Sequence, residues 1–145
     1  IPQLLLRCKT LAKTNTYHDH YWERSNSISK SHTERGLDIL RAVENVEKAF
    51  EKSIYFNKKK ELKGFQILEG VYTFLAFLAY VKNEEFFNKM NSEFNHFSMQ
   101  RNISKAEILS YKRFGKNYLL SLPLRKKIYY LICFFGQTRL IRKLL

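Results

Sequence analysis

A chain of 145 residues is long enough for one domain with a real core and too short to assume two. Its two cysteines, Cys8 and Cys133, stand far apart among apolar neighbours without metal-ligand spacing, which disfavours a disulfide scaffold or a zinc module and points to reduced, buried thiols. The net charge of +13 sits mostly at one end: no acidic residue follows Glu107, while nine of the 26 Lys and Arg lie from Lys112 onward, so this end is expected to meet an anionic surface.

The chain opens at Ile1 rather than Met, and Leu4, Leu5, Cys8, Leu11 and Ala12 already follow helical spacing. This start is expected of the C-terminal piece of a longer protein, since natural boundaries usually begin in polar, flexible segments. Thr14-Asn15-Thr16 breaks the pattern. Tyr17 to Trp22 suits a short extended strand, with Tyr17, Asp19 and Tyr21 on one face and His18, His20 and Trp22 on the other. Ser25 to His32 reads as a polar loop, and Ser31 with Glu34 as a capping box. The helix it opens has Leu37, Leu40, Val43, Phe50 and Ile54 as its expected buried stripe.

After the turn at Asn57 to Lys60, a second long helix is predicted from about Glu61 to Lys82. Its stretch Val71 to Val81 is apolar nearly all round but well short of the ~20 residues of a membrane span, so a buried central helix is expected. Asn83 caps a third helix with the stripe Phe86, Phe87, Met90, Phe94 and Phe97. Ser104 and Glu107 form another capping box, opening a short helix that Gly115 ends. Pro123 sits in the first turn of a last helix that runs to Phe135, where Gly136 interrupts it. The chain after residue 30 therefore reads as all-helical.

Chemistry concentrates in the segment Tyr17 to Ser29, which combines a stacking surface, a fixed positive charge and several hydroxyls. His18 and His20 share a strand face, with His32 nearby, but a zinc site needs a third ligand and a second shell that the spacing does not supply. Arg24 followed by Asn26, Ser27 and Ser29 is more telling: a guanidinium fork matches phosphate oxygens, and a Ser-rich turn adds hydroxyl and backbone donors. The plain alternative is a polar turn between strand and helix. No Gly-rich phosphate loop, Ser-His-Asp order or Asp-x-Asp motif occurs in the chain.

The helix Pro2 to Lys9, a short break, an aromatic strand, and then Trp22-Glu23-Arg24-Ser25-Asn26-Ser27-Ile28-Ser29 resemble the end of the catalytic domain in bacterial family 2 glycosyltransferases of the GT-A fold. Arg24, Ser27 and Ile28 match an Arg-x-Arg-x-x-Ser-Ile-like turn, Trp22 replaces its first arginine, and the family's tyrosine run is altered to Tyr17-His18-Asp19-His20-Tyr21. The resemblance covers about the first 30 residues. It implies a mostly α chain in which one short strand closes a truncated GT-A α/β domain (residues 1–30), followed by a helical C-terminal extension (residues 31–145). It further implies that the full-length protein transfers a sugar from a nucleotide-sugar donor to a surface polysaccharide or lipid-linked glycan. Arg24, Ser27 and Ser29 would hold the donor diphosphate, and His18, His20, Tyr21 and Trp22 would line the donor or acceptor pocket. The catalytic base and the ligands of a divalent metal, Mg or Mn, would lie before Ile1, so this piece alone is expected to be inactive.

The tail alternates basic clusters with large apolar side chains. Arg125, Lys126, Lys127, Arg139, Arg142 and Lys143 are candidates for contact with an anionic membrane, each worth ~1 kcal/mol near such a surface. That fits a cytoplasmic enzyme peripheral at the inner membrane face. The alternatives are a helix that packs its apolar side on the core, and a non-enzymatic helical module that binds a membrane surface or a protein. Nucleic acid is disfavoured, because the aromatics fall at core spacing and no reader motif is present.

Overall fold

The computed structural model describes residues 2–12 and 34–136. These are mostly helical, with one two-stranded antiparallel sheet. The strand expected over Tyr17 to Trp22, and Ser31 of the first capping box, lie outside the described residues.

Helix α1 (Pro2–Leu5) is a single turn, shorter than the pattern to Ala12 predicts. Leu4, Leu5 and Leu11 remain exposed, and so does Cys8, which corrects the expectation of two buried thiols. A short helix without a packed apolar face does not persist. Helix α2 (Asp38–Glu51) follows a 3-10 turn at Glu34–Leu37 and buries Leu40, Val43 and Phe50. Ile54 is exposed instead of completing that stripe, because the helix has already ended. The Ser53 hydroxyl closes the end, donating to the Phe50 carbonyl at 2.7 Å and accepting from the Tyr55 N–H at 3.2 Å.

The central helix is one continuous run of three geometries: α3 (Lys59–Phe65), a π-helical segment (Gln66–Thr73) and α4 (Phe74–Leu78). Val71, Tyr72, Phe74, Leu75 and Leu78 are all but fully buried, as the sequence predicts for a central helix. Among the described residues, no helix is long and apolar enough to cross a membrane. Gly70 and Gly36 permit close approaches in the core: a Cβ would lie 2.3 Å from Cζ of Phe97 at the first and 2.3 Å from Cε1 of Phe77 at the second.

Helix α5 (Glu84–Gln100) starts at Asn83, whose side chain accepts from the Phe86 N–H at 2.8 Å, and it buries Phe87, Met90 and Phe97. Phe94 stacks on Phe74 with ring centroids 5.9 Å apart. The helix closes in a Schellman arrangement: Asn102 takes φ 48°, its N–H reaches the Met99 carbonyl at 3.0 Å, and the Ile103 N–H reaches that of Ser98 at 2.9 Å. Helix α6 (Lys105–Ser110) opens with the expected Ser104–Glu107 capping box.

Beyond α6 the all-helical expectation fails. β1 (Lys112–Arg113) and β2 (Lys116–Asn117) form a hairpin with Lys112 opposite Asn117 and Arg113 opposite Lys116. Phe114 and Gly115, the two loop residues, have φ of 51° and 79°, the positive values a type I′ turn requires. Asn117 fixes the return of the chain. Its Nδ2 donates to the Leu109 carbonyl at 2.8 Å, and its Oδ1 accepts from the Leu120 N–H at 3.0 Å, capping α7 (Tyr118–Ser121). Pro123 then leads into α8 (Leu124–Phe134), and Gly136 follows with φ 73°.

Candidate functional site

The donor-site residues expected from the sequence, Arg24, Ser27 and Ser29, lie outside the described residues, as do His18, His20, Tyr21 and Trp22. The same is true of Arg139, Arg142 and Lys143. Arg125, Lys126 and Lys127 are described, all in the first turn and a half of α8. Among the described residues no group of His, Cys, Asp and Glu is arranged to hold a metal ion.

Helix α8 is fixed to the core by its inner side, where Tyr130, Cys133 and Phe134 are buried. The Tyr130 hydroxyl donates to the Tyr72 carbonyl at 3.0 Å, and the Tyr129 hydroxyl donates to the Leu75 carbonyl. Both acceptors flank the junction between the π-helical segment and α4, so two tyrosines pin α8 across the middle of the central helix. Tyr72 passes the connection on, its own hydroxyl reaching the Ile108 carbonyl at 3.0 Å. Its ring meets those of Tyr118 and Tyr130 edge-on at centroid distances of 4.7 and 4.9 Å. Burial pushes the Tyr72 hydroxyl up to about 12, with Tyr118 and Tyr111 adding to the shift. Burial likewise pushes the Cys133 thiol up to about 11, which makes it a packing group rather than a nucleophile.

That anchoring decides what α8 shows to the outside. Leu124, Ile128 and Phe135 recur at i, i+4 and i+11, and are 71%, 47% and 65% exposed. At 100° per residue this stripe lies on the side of α8 away from Tyr130, Cys133 and Phe134, and Arg125 and Lys127 fall roughly 80° to either side of it. Half-buried Leu131 and Ile132 lie on either side of the stripe and pack against the core. The helix is therefore apolar on two opposite faces, one in the core and one outward, with cations bordering the outer one. A groove of about 640 Å³ between α4 and α8 runs beside this outer face, lined by Arg125, Lys126, Ile128 and Ile132 with Ala76 and Tyr80.

Sequence reasoning identifies the cations of this surface but not its apolar members. The spacing of Leu124, Ile128 and Phe135 is the signal that marks them, yet a helix apolar on two faces does not reveal which face meets the core. A second groove, also of about 640 Å³, lies between α1, α2 and the central helix, lined by Leu4, Arg7, Val43, Asn45, Glu69 and Thr73. Comparison with protein-family models, with characterised proteins and with solved structures finds no match to this chain.

Proposed function

We propose that the helical region is a module that docks on an anionic bilayer face, and that it serves a glycosyltransferase whose catalytic domain closes in residues 1–30. The observation that carries the docking reading is the outward stripe of Leu124, Ile128 and Phe135 bordered by Arg125 and Lys127. An interfacial helix needs an apolar face to enter the acyl boundary and cations beside it to reach the phosphates, their stems lying along the apolar surface. The lack of acidic residues after Glu107 supports the same reading, since nothing in this end of the chain repels an anionic surface.

The transferase reading rests on the Arg24, Ser27 and Ile28 match and on the altered tyrosine run before it. In it, Arg24 pairs with the diphosphate of a nucleotide-sugar, Ser27 and Ser29 support that contact, and His18, His20, Tyr21 and Trp22 line the adjoining pocket. A divalent metal, Mg or Mn, belongs to this reading only through the family resemblance. A docked module would hold the catalytic domain near a lipid-linked acceptor at the cytoplasmic face of the inner membrane.

Sedimentation with vesicles tests the docking. Pelleting with phosphatidylglycerol-containing vesicles, little with neutral phosphatidylcholine, and loss of pelleting for Leu124→Ser/Ile128→Ser are the expected results. Equal pelleting with both vesicles, or with neither, would sink the reading and leave α8 as a core helix or a protein contact. For the transferase, Arg24→Ala in the full-length enzyme is expected to raise the KM for nucleotide-sugar, and unchanged donor kinetics would remove Arg24 from the site.

A further inference from the structure

The hairpin tip has properties that packing does not account for. Phe114 is 91% exposed, and the Arg113 guanidinium lies 5.3 Å from its ring centroid. It nevertheless sits at φ 51°, the left-handed region that a large side chain rarely adopts. Asn at this position followed by Gly115 would suit a type I′ turn far better. An aromatic held in an unfavourable backbone conformation while almost fully exposed points to a role outside the fold. Lys112, Arg113 and Lys116 flank it, all exposed, with no acidic residue in the hairpin.

We propose that Phe114 is a second bilayer contact, a wedge that enters the headgroup region of an anionic leaflet while Lys112, Arg113 and Lys116 meet its phosphates. This rests on the bilayer reading of α8. Aromatic side chains favour the membrane–water boundary, and cations placed around one add electrostatic attraction to anionic lipid. An aromatic among cations also suits a nucleic-acid strand. The next strongly exposed apolar side chains along the chain, Leu120 and Leu124, decide for lipid: aliphatic groups neither stack well on bases nor pair with them.

The test uses Phe114→Asn, which keeps an acceptable turn residue and removes the ring. Thermal stability is expected to hold or rise, while affinity for phosphatidylglycerol-containing vesicles falls about tenfold, the effect of losing partial burial of one aromatic side chain. In parallel, Phe114→Trp in a Trp22→Phe background places the only tryptophan at the tip. Its emission is expected to shift to the blue on vesicle binding and to be quenched by brominated acyl chains. If vesicles bind through α8 but the Trp emission stays unchanged and Phe114→Asn binds normally, the wedge is refuted and the α8 reading stands. If vesicles do not bind at all, both fail. A blue shift with single-stranded oligonucleotide and none with vesicles would overturn the wedge in favour of a nucleic-acid contact.

Discussion

Arg101 grips Glu47 with a two-point fork, Nε to Oε1 and Nη2 to Oε2, each at 2.6 Å, joining the end of α5 to the middle of α2. The pair is largely withdrawn from water, with the side chains 10% and 17% exposed. The guanidinium also lies 3.9 Å over the Phe97 ring, and Gln66 of the central helix donates to the same Glu47 oxygen at 2.8 Å. Three helices thus meet on one carboxylate. Lys63 strengthens the corner, its ammonium donating to the Arg101 and Asn102 carbonyls at 2.7 and 3.1 Å.

Removing one partner of such a pair leaves the other charge poorly solvated. Arg101→Met is expected to cost about 3 kcal/mol, read as a lower urea midpoint at unchanged slope. The double variant Arg101→Met/Glu47→Leu should recover most of that loss, since an apolar pair of similar volume avoids the orphaned carboxylate. Additive losses in the double variant would mean that the fork contributes through packing alone.

Gly70 makes a sharper demand. The Phe97 ring occupies the space where a Cβ at position 70 would stand, and it is held between the π-helical segment and the Arg101 guanidinium. Gly70→Ala should therefore destabilise by about 1–3 kcal/mol, although alanine favours helix in an open site. Adding Phe97→Leu to it should return part of the loss. A stabilising Gly70→Ala would show that the ring moves aside freely.

The Ser104–Glu107 capping box predicts a pH dependence. Glu107 Oε2 accepts from the Ser104 backbone N–H at 2.8 Å and from its hydroxyl at 2.9 Å, while the Lys63 ammonium lies 3.8 Å from Oε1. The backbone hydrogen bond, then the hydroxyl and Lys63, hold this carboxyl below the usual range. A lowered pKa in the folded state gives stability that is present above the unfolded value, near ~4.3, and lost as pH falls through the folded one. Glu107→Gln should flatten the acid limb of the melting temperature below about pH 4. Ser104→Ala should cost about 1 kcal/mol at neutral pH. An acid limb unchanged in Glu107→Gln would assign the loss to other carboxylates.

Local signals carried much of the helical fold into the sequence. Asn83 and the Ser104–Glu107 pair start their helices as their side-chain chemistry dictates, and Val71, Tyr72, Phe74, Leu75 and Leu78 are buried as a nearly all-apolar stretch should be. The hairpin was not legible in the same way. Gly115 supplies positive φ both to a helix end and to a turn, so its presence does not distinguish them. The choice is made by Asn117, whose hydrogen bonds back to Leu109 and forward to Leu120 depend on where the chain returns in space. The candidate surface divides similarly. Charge placement identifies Arg125 and Lys127, while the outward role of Leu124, Ile128 and Phe135 follows only once Tyr129 and Tyr130 fix the inner face.

The tyrosine pins predict the opposite limb of the pH profile. Burial raises Tyr130 and Tyr129 above the ordinary 10.0, most strongly Tyr129, alongside Tyr72 at about 12 and Cys133 at about 11. In the unfolded chain these groups ionise at ordinary values, from about pH 9 for the thiol and about pH 10 for the phenols. Their stabilisation is therefore complete below about pH 9 and falls as pH climbs, because the unfolded state releases protons that the folded state retains. Tyr130→Phe removes the hydrogen bond to Tyr72 and one of these titrating groups together. It should cost about 1 kcal/mol at neutral pH, and the gap from the parent should narrow above about pH 10. Urea unfolding at neutral pH and at pH ~10.5 reads both effects. A gap that stays constant would mean that the Tyr130 hydroxyl ionises alike in both states, and that the pin is open to water.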